Sequence, residues 1–390
     1  MRTLPVIVLA QLLGTSPWFA VNAVMPDLQR QLGWDASAVG SLSSALQAGF
    51  IAGTFVFALL ALADRWPARR VFCGCAFLAC GCTLAAAAAA HGGSWQALLL
   101  WRALTGFFLA GIYPVGMKIA AQWFPQGLGA ALGWLVGALV LGSASPHALR
   151  AFGADWPWTA VFVGVAIAAA VAGVLVLVAV PEPLPLARRA SGLHLAALAQ
   201  AWRNARVRAS MLGYFGHMFE LYTLWVLAPL LLATRLQGAS TLSWAAFAVL
   251  GAGAVGCICG GQLVRRFGSA RVAAVQLASS GLCCLLAPWL LSAPLALFMA
   301  WMLLWGLTAA GDSPQFSALT AANAEPTAVG SVLTLSTCIG FTISALSIEL
   351  FVRWAQVLPW AQLLPWLALG PLLGLWGLRP LLRPLWRRQA

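Results

Sequence analysis

The feature that most constrains this chain is the absence of charge over long stretches. Residues 4–24 hold no charged side chain, and similar runs recur along the sequence. A run of about 20 apolar residues makes a helix of about 30 Å, the thickness of a bilayer core. Within a membrane the backbone has two solutions, the helix and the closed barrel. Barrel strands alternate apolar and polar residues, and these runs do not. The chain is therefore expected to be an all-α integral membrane protein.

Of the 390 residues, 62% are hydrophobic and 8% charged, whereas soluble domains carry about 25% charged residues. No segment reads as a separate soluble domain. The 22 basic and 9 acidic residues give a net charge of +13. The basic residues lie in the loops between apolar runs, where the positive-inside rule puts them. The lipid bilayer is thus the expected partner, and nucleic acid is not. Cys73-x-Cys75, Cys80-x-Cys82, Cys257-x-Cys259, Cys283-Cys284 and Cys338 all fall inside apolar runs. Residues two apart on a helix diverge by about 200°, so the spaced pairs cannot share a metal and read as small packing residues. Neither metal nor cofactor is expected. The run after Met1-Arg2-Thr3 is longer than a signal-peptide core and reads as a retained first helix closed by Pro26-Asp27.

Twelve spans are expected: 4–25, 36–62, 70–90, 95–121, 127–148, 157–180, 208–234, 241–264, 270–291, 294–322, 327–352 and 359–382. Gly and Pro mark the turns between them, as in Pro125-Gln126-Gly127 and Pro181-Glu182-Pro183. Trp34, Trp66, Trp95, Trp123, Trp156, Trp158, Trp360 and Trp386 stand near span ends, where an aromatic belt belongs. One set of loops carries Arg65, Arg69, Arg70, Arg188, Arg189, Arg203, Arg206, Arg208, Arg265, Arg266 and Arg271, with Arg379, Arg383, Arg387 and Arg388 in the tail. The opposite set carries only Arg30, Arg150, Arg235 and Arg353. Both termini are therefore expected on the cytoplasmic side. The longest break divides the chain into an N-terminal six-helix bundle (1–182), a cytoplasmic linker (183–207) and a C-terminal six-helix bundle (208–390). The stretch around His194–Trp202 is amphipathic and suits a membrane surface.

The halves look like repeats. Asp64-Arg65-Trp66-Pro67-Ala68-Arg69-Arg70 follows span 2, and Arg265-Arg266-Phe267-Gly268-Ser269-Ala270-Arg271 follows span 8, about 200 residues later. Gly111-Ile-Tyr-Pro114 in span 4 echoes Gly311-Asp-Ser-Pro314 in span 10, and Met25-Pro26 echoes Ala228-Pro229. Parallel repeats of six helices, related by an axis along the membrane normal, are a transporter architecture.

On these residues the chain resembles the major facilitator superfamily over essentially its full length. The family's pattern between spans 2 and 3, Gly-x-x-x-Asp-Arg-x-Gly-Arg-Arg, is approached by Asp64-Arg65 and Arg69-Arg70, with Leu60 and Pro67 where glycines are usual. Its second copy keeps Gly261 and Gly268 but has Arg265 in the acid's place. Arg-x-x-x-Gly in span 4 matches Arg102-Ala-Leu-Thr-Gly106. Gly133, Gly137, Gly142 and Pro146 only loosely follow the antiporter pattern of span 5, which argues against a standard drug:proton antiporter. Gly111, Pro114 and Trp123-Phe124-Pro125 look like anion-transporting branches, but spans 2 and 8 lack the arginines of nitrate porters. The resemblance implies two pseudo-symmetric six-helix bundles with spans 1, 4, 7 and 10 around a central cavity.

Polar residues in those spans are the candidate site. Gln11, Thr15, Trp18 and Asn22 share one face of span 1 and either line the cavity or bond neighbouring helices. In span 4, Arg102 has Gly106, Ala110 and Tyr113 near its face. It is either a cavity cation or a structural one, snorkelling or paired with Asp27. Lys118 lies sixteen residues on, about 160° around the helix, and reads as a cytoplasmic anchor. Span 7 carries His217 and Glu220 one turn apart, with Tyr214 within reach. An ionised, unpaired acid at that depth costs several kcal/mol, and histidine titrates near neutral pH. The pair therefore suits proton coupling, or else locks helices together. Span 10 adds Asp312 at a Gly311/Pro314 interruption, with Trp301, Trp305, Thr308, Gln315 and Phe316 near its face; interrupted helices mark transporter binding sites. Asp64, Arg65, Arg69 and Arg70 form either a cytoplasmic gate or ordinary positive-inside charge.

The expected function is secondary active transport by alternating access, proton-coupled through Glu220, His217 and Asp312. The favoured substrate is a small organic anion, chosen for Arg102. A proton-driven multidrug or metabolite exporter is the alternative. No phosphate-cradling sequence is present, the histidines are too scattered for a membrane-embedded enzyme, and no channel filter is visible. One chain of twelve helices suffices to enclose a cavity, so a monomer is expected. The Ala-, Gly- and Arg-rich composition looks bacterial, which makes the inner membrane the expected location.

Overall fold

The computed structural model describes residues 3–35, 37–124, 128–181 and 196–382. Arg188, Arg189, His194, Arg383, Trp386, Arg387, Arg388 and the Pro125–Gly127 turn lie outside the described residues. Among the described residues there is no strand, and twelve helices are long and apolar enough to cross a membrane. They are spans 1 (Thr3–Leu32), 2 (Ala38–Leu59), 3 (Ala68–His91), 4 (Trp95–Trp123), 5 (Ala130–Phe152), 6 (Thr159–Ala179), 7 (Ala205–Ala233), 8 (Ala239–Phe267), 9 (Ser269–Leu290), 10 (Leu295–Asn323), 11 (Val329–Trp354) and 12 (Trp360–Leu382).

Helix partners recur with an offset of six. Span 2 packs on 4 as 8 packs on 10; span 3 packs on 6 as 9 packs on 12; span 1 packs on 5 and 6 as 7 packs on 11 and 12. Two glycines at equivalent places make the 2–4 and 8–10 contacts possible. A Cβ on Gly106 would stand 1.9 Å from the Leu46 carbonyl oxygen, and one on Gly306 would stand 2.0 Å from that of Val249. Only glycine permits such backbone approach. Between the halves, span 5 lies along span 8 and span 2 against span 11.

Spans 1, 4 and 10 are interrupted by turns, and span 12 passes through a 3-10 stretch at Leu364–Ala368. Span 10 breaks at Asp312, where Gly311/Pro314 predict it, and span 4 breaks at Ala110–Ile112, beside the echoing Gly111 and Pro114. Span 1 breaks at Ser16–Phe19, around a Pro17 that lacks an N–H. Ser16 Oγ donates instead to the Leu13 carbonyl, at 2.7 Å. The expected helix end at Pro26-Asp27 is corrected: the helix continues through Pro26 to Leu32. Gly33 ends it in the left-handed region (φ 65°), its N–H donating to Gln29 O at 2.9 Å.

The linker contributes a short helix, Ala196–Arg203, ahead of span 7. Its Ala201 packs with Val207, Met211 and Val332, while Trp202 is exposed. Asn204 caps span 7 by accepting from the N–H groups of Arg206 and Val207. Asn204 and Arg206 also bond Asn323 at the end of span 10. The linker helix is thus fastened to the loop between spans 10 and 11.

Candidate functional site

Between the halves lies a cavity of about 750 Å³. Spans 4 and 5 wall one side; spans 7, 10 and 11 wall the other. The wall is mostly apolar, with Met117, Leu139, Met218, Leu221, Trp225 and Phe341 among its residues. Its polar groups are hydroxyls, of Tyr113, Tyr214, Tyr222, Thr54, Ser313, Ser317, Thr334 and Thr337, together with the Lys118 ammonium. The wall runs out to exposed Ala322 and Gly330, on the side that carries the linker and the Arg-rich loops.

The other end of the cavity is closed. Trp18 packs against Phe50, Tyr222 and Phe341 with ring centroids 4.9, 5.7 and 5.7 Å apart. Phe19 meets Trp225 at 5.7 Å. These contacts join spans 1 and 2 to spans 7 and 11. Further out, Gln47 Nε2 donates to Ser344 Oγ at 3.1 Å, and Ser44 Oγ to the Ala345 carbonyl at 3.4 Å. Aromatic packing and a short hydrogen-bonded seam therefore seal this end.

Only Tyr113 and Tyr214 of the expected cavity residues stand on the wall; the other eight are buried elsewhere. Gln11 presses on Gly116, and its amide has no protein partner. Thr15 Oγ1 donates to the Gln11 carbonyl at 2.8 Å, and Asn22 Nδ2 to Ser43 Oγ at 3.0 Å. Trp18 belongs to the closing aromatic cluster. Thr308 Oγ1 bonds back to Leu304 O, and Gln315 is buried with its Nε2 unpartnered. These polar residues are taken up inside the bundle, by a neighbouring helix for Asn22 and by their own helix backbone for Thr15 and Thr308.

Arg102 is the clearest correction. It is 1% exposed, and its Nη1 and Nη2 donate to the carbonyls of Pro17 and Trp18 at 3.0 and 2.6 Å. These carbonyls lie in the break of span 1, where helical donors are missing. The guanidinium fork fits two adjacent acceptors. The Asp27 pairing goes instead to Arg150, whose Nε lies 2.9 Å from Asp27 Oδ2, and to Arg30 at 2.7 Å.

His217 and Glu220 share a helix face but not a partner. His217 Nδ1 lies 2.7 Å from Asp312 Oδ1, both groups being essentially inaccessible. His217 is sandwiched between Tyr214 and Phe316, with centroids 6.0 and 5.9 Å away. Glu220 accepts from Trp305 Nε1 at 2.7 Å and from Ser280 Oγ at 2.8 Å, and meets Cys284 Sγ at 3.3 Å. The partners Ser280 and Cys284 lie on span 9, outside the spans where sequence reasoning looked. Both clusters sit directly behind the cavity: Tyr214, one turn before His217, and Ser313, next to Asp312, face into it.

At the open mouth, Asp64 pairs with Lys118, which also donates to Ala63 O at 2.6 Å. Lys118 lines the cavity. Asp64 of the expected gate with Arg65, Arg69 and Arg70 thus also takes a cation from span 4, the chain's single lysine.

Two six-helix halves around a central cavity, with buried ionisable groups behind its wall, define a secondary-transporter architecture. The sequence model of the major facilitator superfamily matches residues 7–348, and the chain belongs to that family. It is a transporter and not an enzyme. No curated protein matches the sequence. Among solved structures, the human organic anion transporter MFSD10 (TETRAN) is similar with a TM-score of 0.75 and 18% identity, over 97% of this chain and 99% of that one. The proton:xylose symporter XylE, bound to 6-bromo-6-deoxy-D-glucose, is similar with a TM-score of 0.75 and 14% identity, over 98% and 95%. At these identities the likeness is one of fold.

Proposed function

We propose that this protein moves a small molecule across the membrane by alternating access, driven by protons carried in its C-terminal half. The observation that carries this reading is the cavity, open at one end and closed at the other by contacts between the two halves. Breaking the aromatic cluster and the span 2–11 seam while closing the mouth gives the opposite state, a rocking of two rigid halves. The Arg-rich side is cytoplasmic by the positive-inside rule. The cavity therefore faces inward, both termini are cytoplasmic, and the bacterial inner membrane is the site of action. A single chain works as a monomer, with halves 1–182 and 208–390 joined by the linker 183–207.

The coupling groups are His217 with Asp312, and Glu220. Each is shut away from water in this state and has partners on neighbouring helices of its own half. Proton binding changes those partners, and Tyr214 and Ser313 connect the change to the cavity wall. A proton bound at a helix contact, rather than at the substrate, shifts the balance between two states. Asp64 and Lys118 act at the inner mouth as the cytoplasmic gate.

For the substrate, the organic-anion expectation now rests on Lys118 alone, since Arg102 holds the carbonyls of Pro17 and Trp18. MFSD10 carries organic anions on the same fold. The multidrug alternative would draw on Glu220 and Asp312, which have protein partners.

Spin labels carried on unnatural amino acids at positions 121 and 322, across the mouth, test the reading. Two distance populations are expected, with the shorter one growing as the mouth closes. A single narrow distance at every pH and in every variant contradicts alternating access. In proteoliposomes, Glu220→Gln and Asp312→Asn are each expected to retain substrate exchange but lose uphill accumulation. Undiminished accumulation in both contradicts the coupling assignment.

A further inference from the structure

The chain has three tyrosines, and all three line the cavity of about 750 Å³ between the halves. They come from both sides of it, Tyr113 from span 4 and Tyr214 and Tyr222 from span 7. The hydroxyls of Tyr113 and Tyr222 have no protein partner, and neither is sealed away from the cavity. The Tyr214 hydroxyl reaches Thr337, itself a wall residue. Phenol groups prefer a hydrogen-bond partner when the space around them is desolvated. Two of them, Tyr113 and Tyr222, thus line one apolar space from opposite sides and await acceptors or donors from something else.

Charge on the wall points the same way. Lys118 is the charged residue of the wall, and it stands at the mouth, paired with Asp64. Arg102, Glu220 and Asp312 lie behind the wall and are bonded to the protein. During alternation the substrate must pass through a state in which neither face supplies water. A charged group held there without a counter-ion costs several kcal/mol. An uncharged ring does not, and it finds an apolar wall to pack on, with Met117, Met218 and Leu221 among its residues. The cavity volume of about 750 Å³ falls within the range of small-molecule sites.

We propose that this cavity takes an uncharged aromatic molecule bearing hydrogen-bonding oxygens, with its ring against the apolar wall of Met117, Met218 and Leu221 and its oxygens bonded to the phenols of Tyr113 and Tyr222, beside the Tyr214–Thr337 pair. This rests on the transport reading above and names the substrate class for the same site. It displaces both the organic anion and the lipophilic cation.

The test is calorimetric titration of the protein in nanodiscs with three matched probes: 2-naphthol, 2-naphthoate and 2-naphthyltrimethylammonium. Heats of partition into empty nanodiscs are subtracted. We expect saturable binding of 2-naphthol, with Tyr113→Phe and Tyr222→Phe each weakening it about threefold to tenfold, the size of one hydrogen bond. Naphthoate and the trimethylammonium probe should bind at least about tenfold more weakly, as an unpaired charge requires. Phenylalanine keeps the ring, so the variants retain packing and fold. The proposal is overturned if either charged probe binds as tightly as 2-naphthol. It is also overturned if 2-naphthol gives no saturable binding up to its solubility limit, or if the triple Tyr→Phe variant binds it unchanged. The spin-label pair at 121 and 322 separates this from the transport reading. Two mouth distances without naphthol binding leave transport standing and remove the substrate class. One distance with tyrosine-dependent binding does the reverse.

Discussion

The two halves share one helix arrangement but bury different chemistry at equivalent contacts. In the N-terminal half, span 4 meets span 1 through Arg102, whose charge is committed to two backbone carbonyls. In the C-terminal half, span 10 meets span 7 through Asp312 and His217, two ionisable side chains 2.7 Å apart. Glu220 adds a second titratable group one turn along, bonded to spans 9 and 10. A guanidinium on carbonyls has no second protonation state to offer near neutral pH. A carboxyl–imidazole pair does. The comparison teaches how a duplicated frame divides its labour: one half is fastened by a permanent charge, and the other is proposed to hold the proton.

Arg102→Ala should have the largest effect on stability. It strips the Pro17 and Trp18 carbonyls of their donors and leaves a hole beside the span 1 break. A loss of about 3 kcal/mol or more is expected, since hydrogen bonds to a charged group contribute about 1.5–3 kcal/mol each. Thermal unfolding in detergent reads it. Asp312→Asn, the matching change in the other half, should leave the melting temperature close to wild type. Equal losses in both would erase the difference between the halves.

The shared frame gives the next effect. Gly106→Val and Gly306→Val each force a side chain into a facing carbonyl, and each should cost about 1–3 kcal/mol. Similar costs are expected, because both glycines serve the same contact in their own half. A tolerated Gly306→Val would mean that the 8–10 contact is looser than the 2–4 contact.

Lys118→Met should be the mildest. The Asp64–Lys118 pair is partly exposed, with side chains 48% and 27% accessible, and such pairs contribute about 1 kcal/mol or less. Its effect should appear in the mouth distances between positions 121 and 322 rather than in unfolding.

The fold was legible because a membrane offers the backbone few choices. Uncharged runs gave twelve helices, and Gly311/Pro314 gave the break in span 10; the matching break in span 4 was visible only as the echo of that motif in Gly111–Pro114. The break in span 1 was missed, although Pro17 stands in its middle, because the run looked continuous and Pro26 looked like its end. The site was less legible. Polar residues in spans 1, 4 and 10 were taken to mark the cavity, yet most of them are buried away from its wall. The wall consists largely of Met117, Leu139, Met218, Leu221, Trp225 and Phe341, whose side chains are indistinguishable from core packing in a helix that is apolar all round. The partners of His217 and Glu220 could not be chosen from spacing. One-turn proximity on span 7 suggested a pair, whereas the packing of spans 9 and 10 gives each its own acceptor or donors.

The most direct test of this division is the pH dependence of the mouth. With spin labels at positions 121 and 322, the distance distribution is followed between pH 5 and pH 8 in wild type, Asp312→Asn, Glu220→Gln and Lys118→Met. Our account predicts a pH-dependent shift between two distances in wild type and in Lys118→Met. It predicts that the shift is lost or displaced in Asp312→Asn and Glu220→Gln. A shift that survives unchanged in both acid variants, or is absent from wild type, would contradict the placement of the driving proton in the C-terminal half.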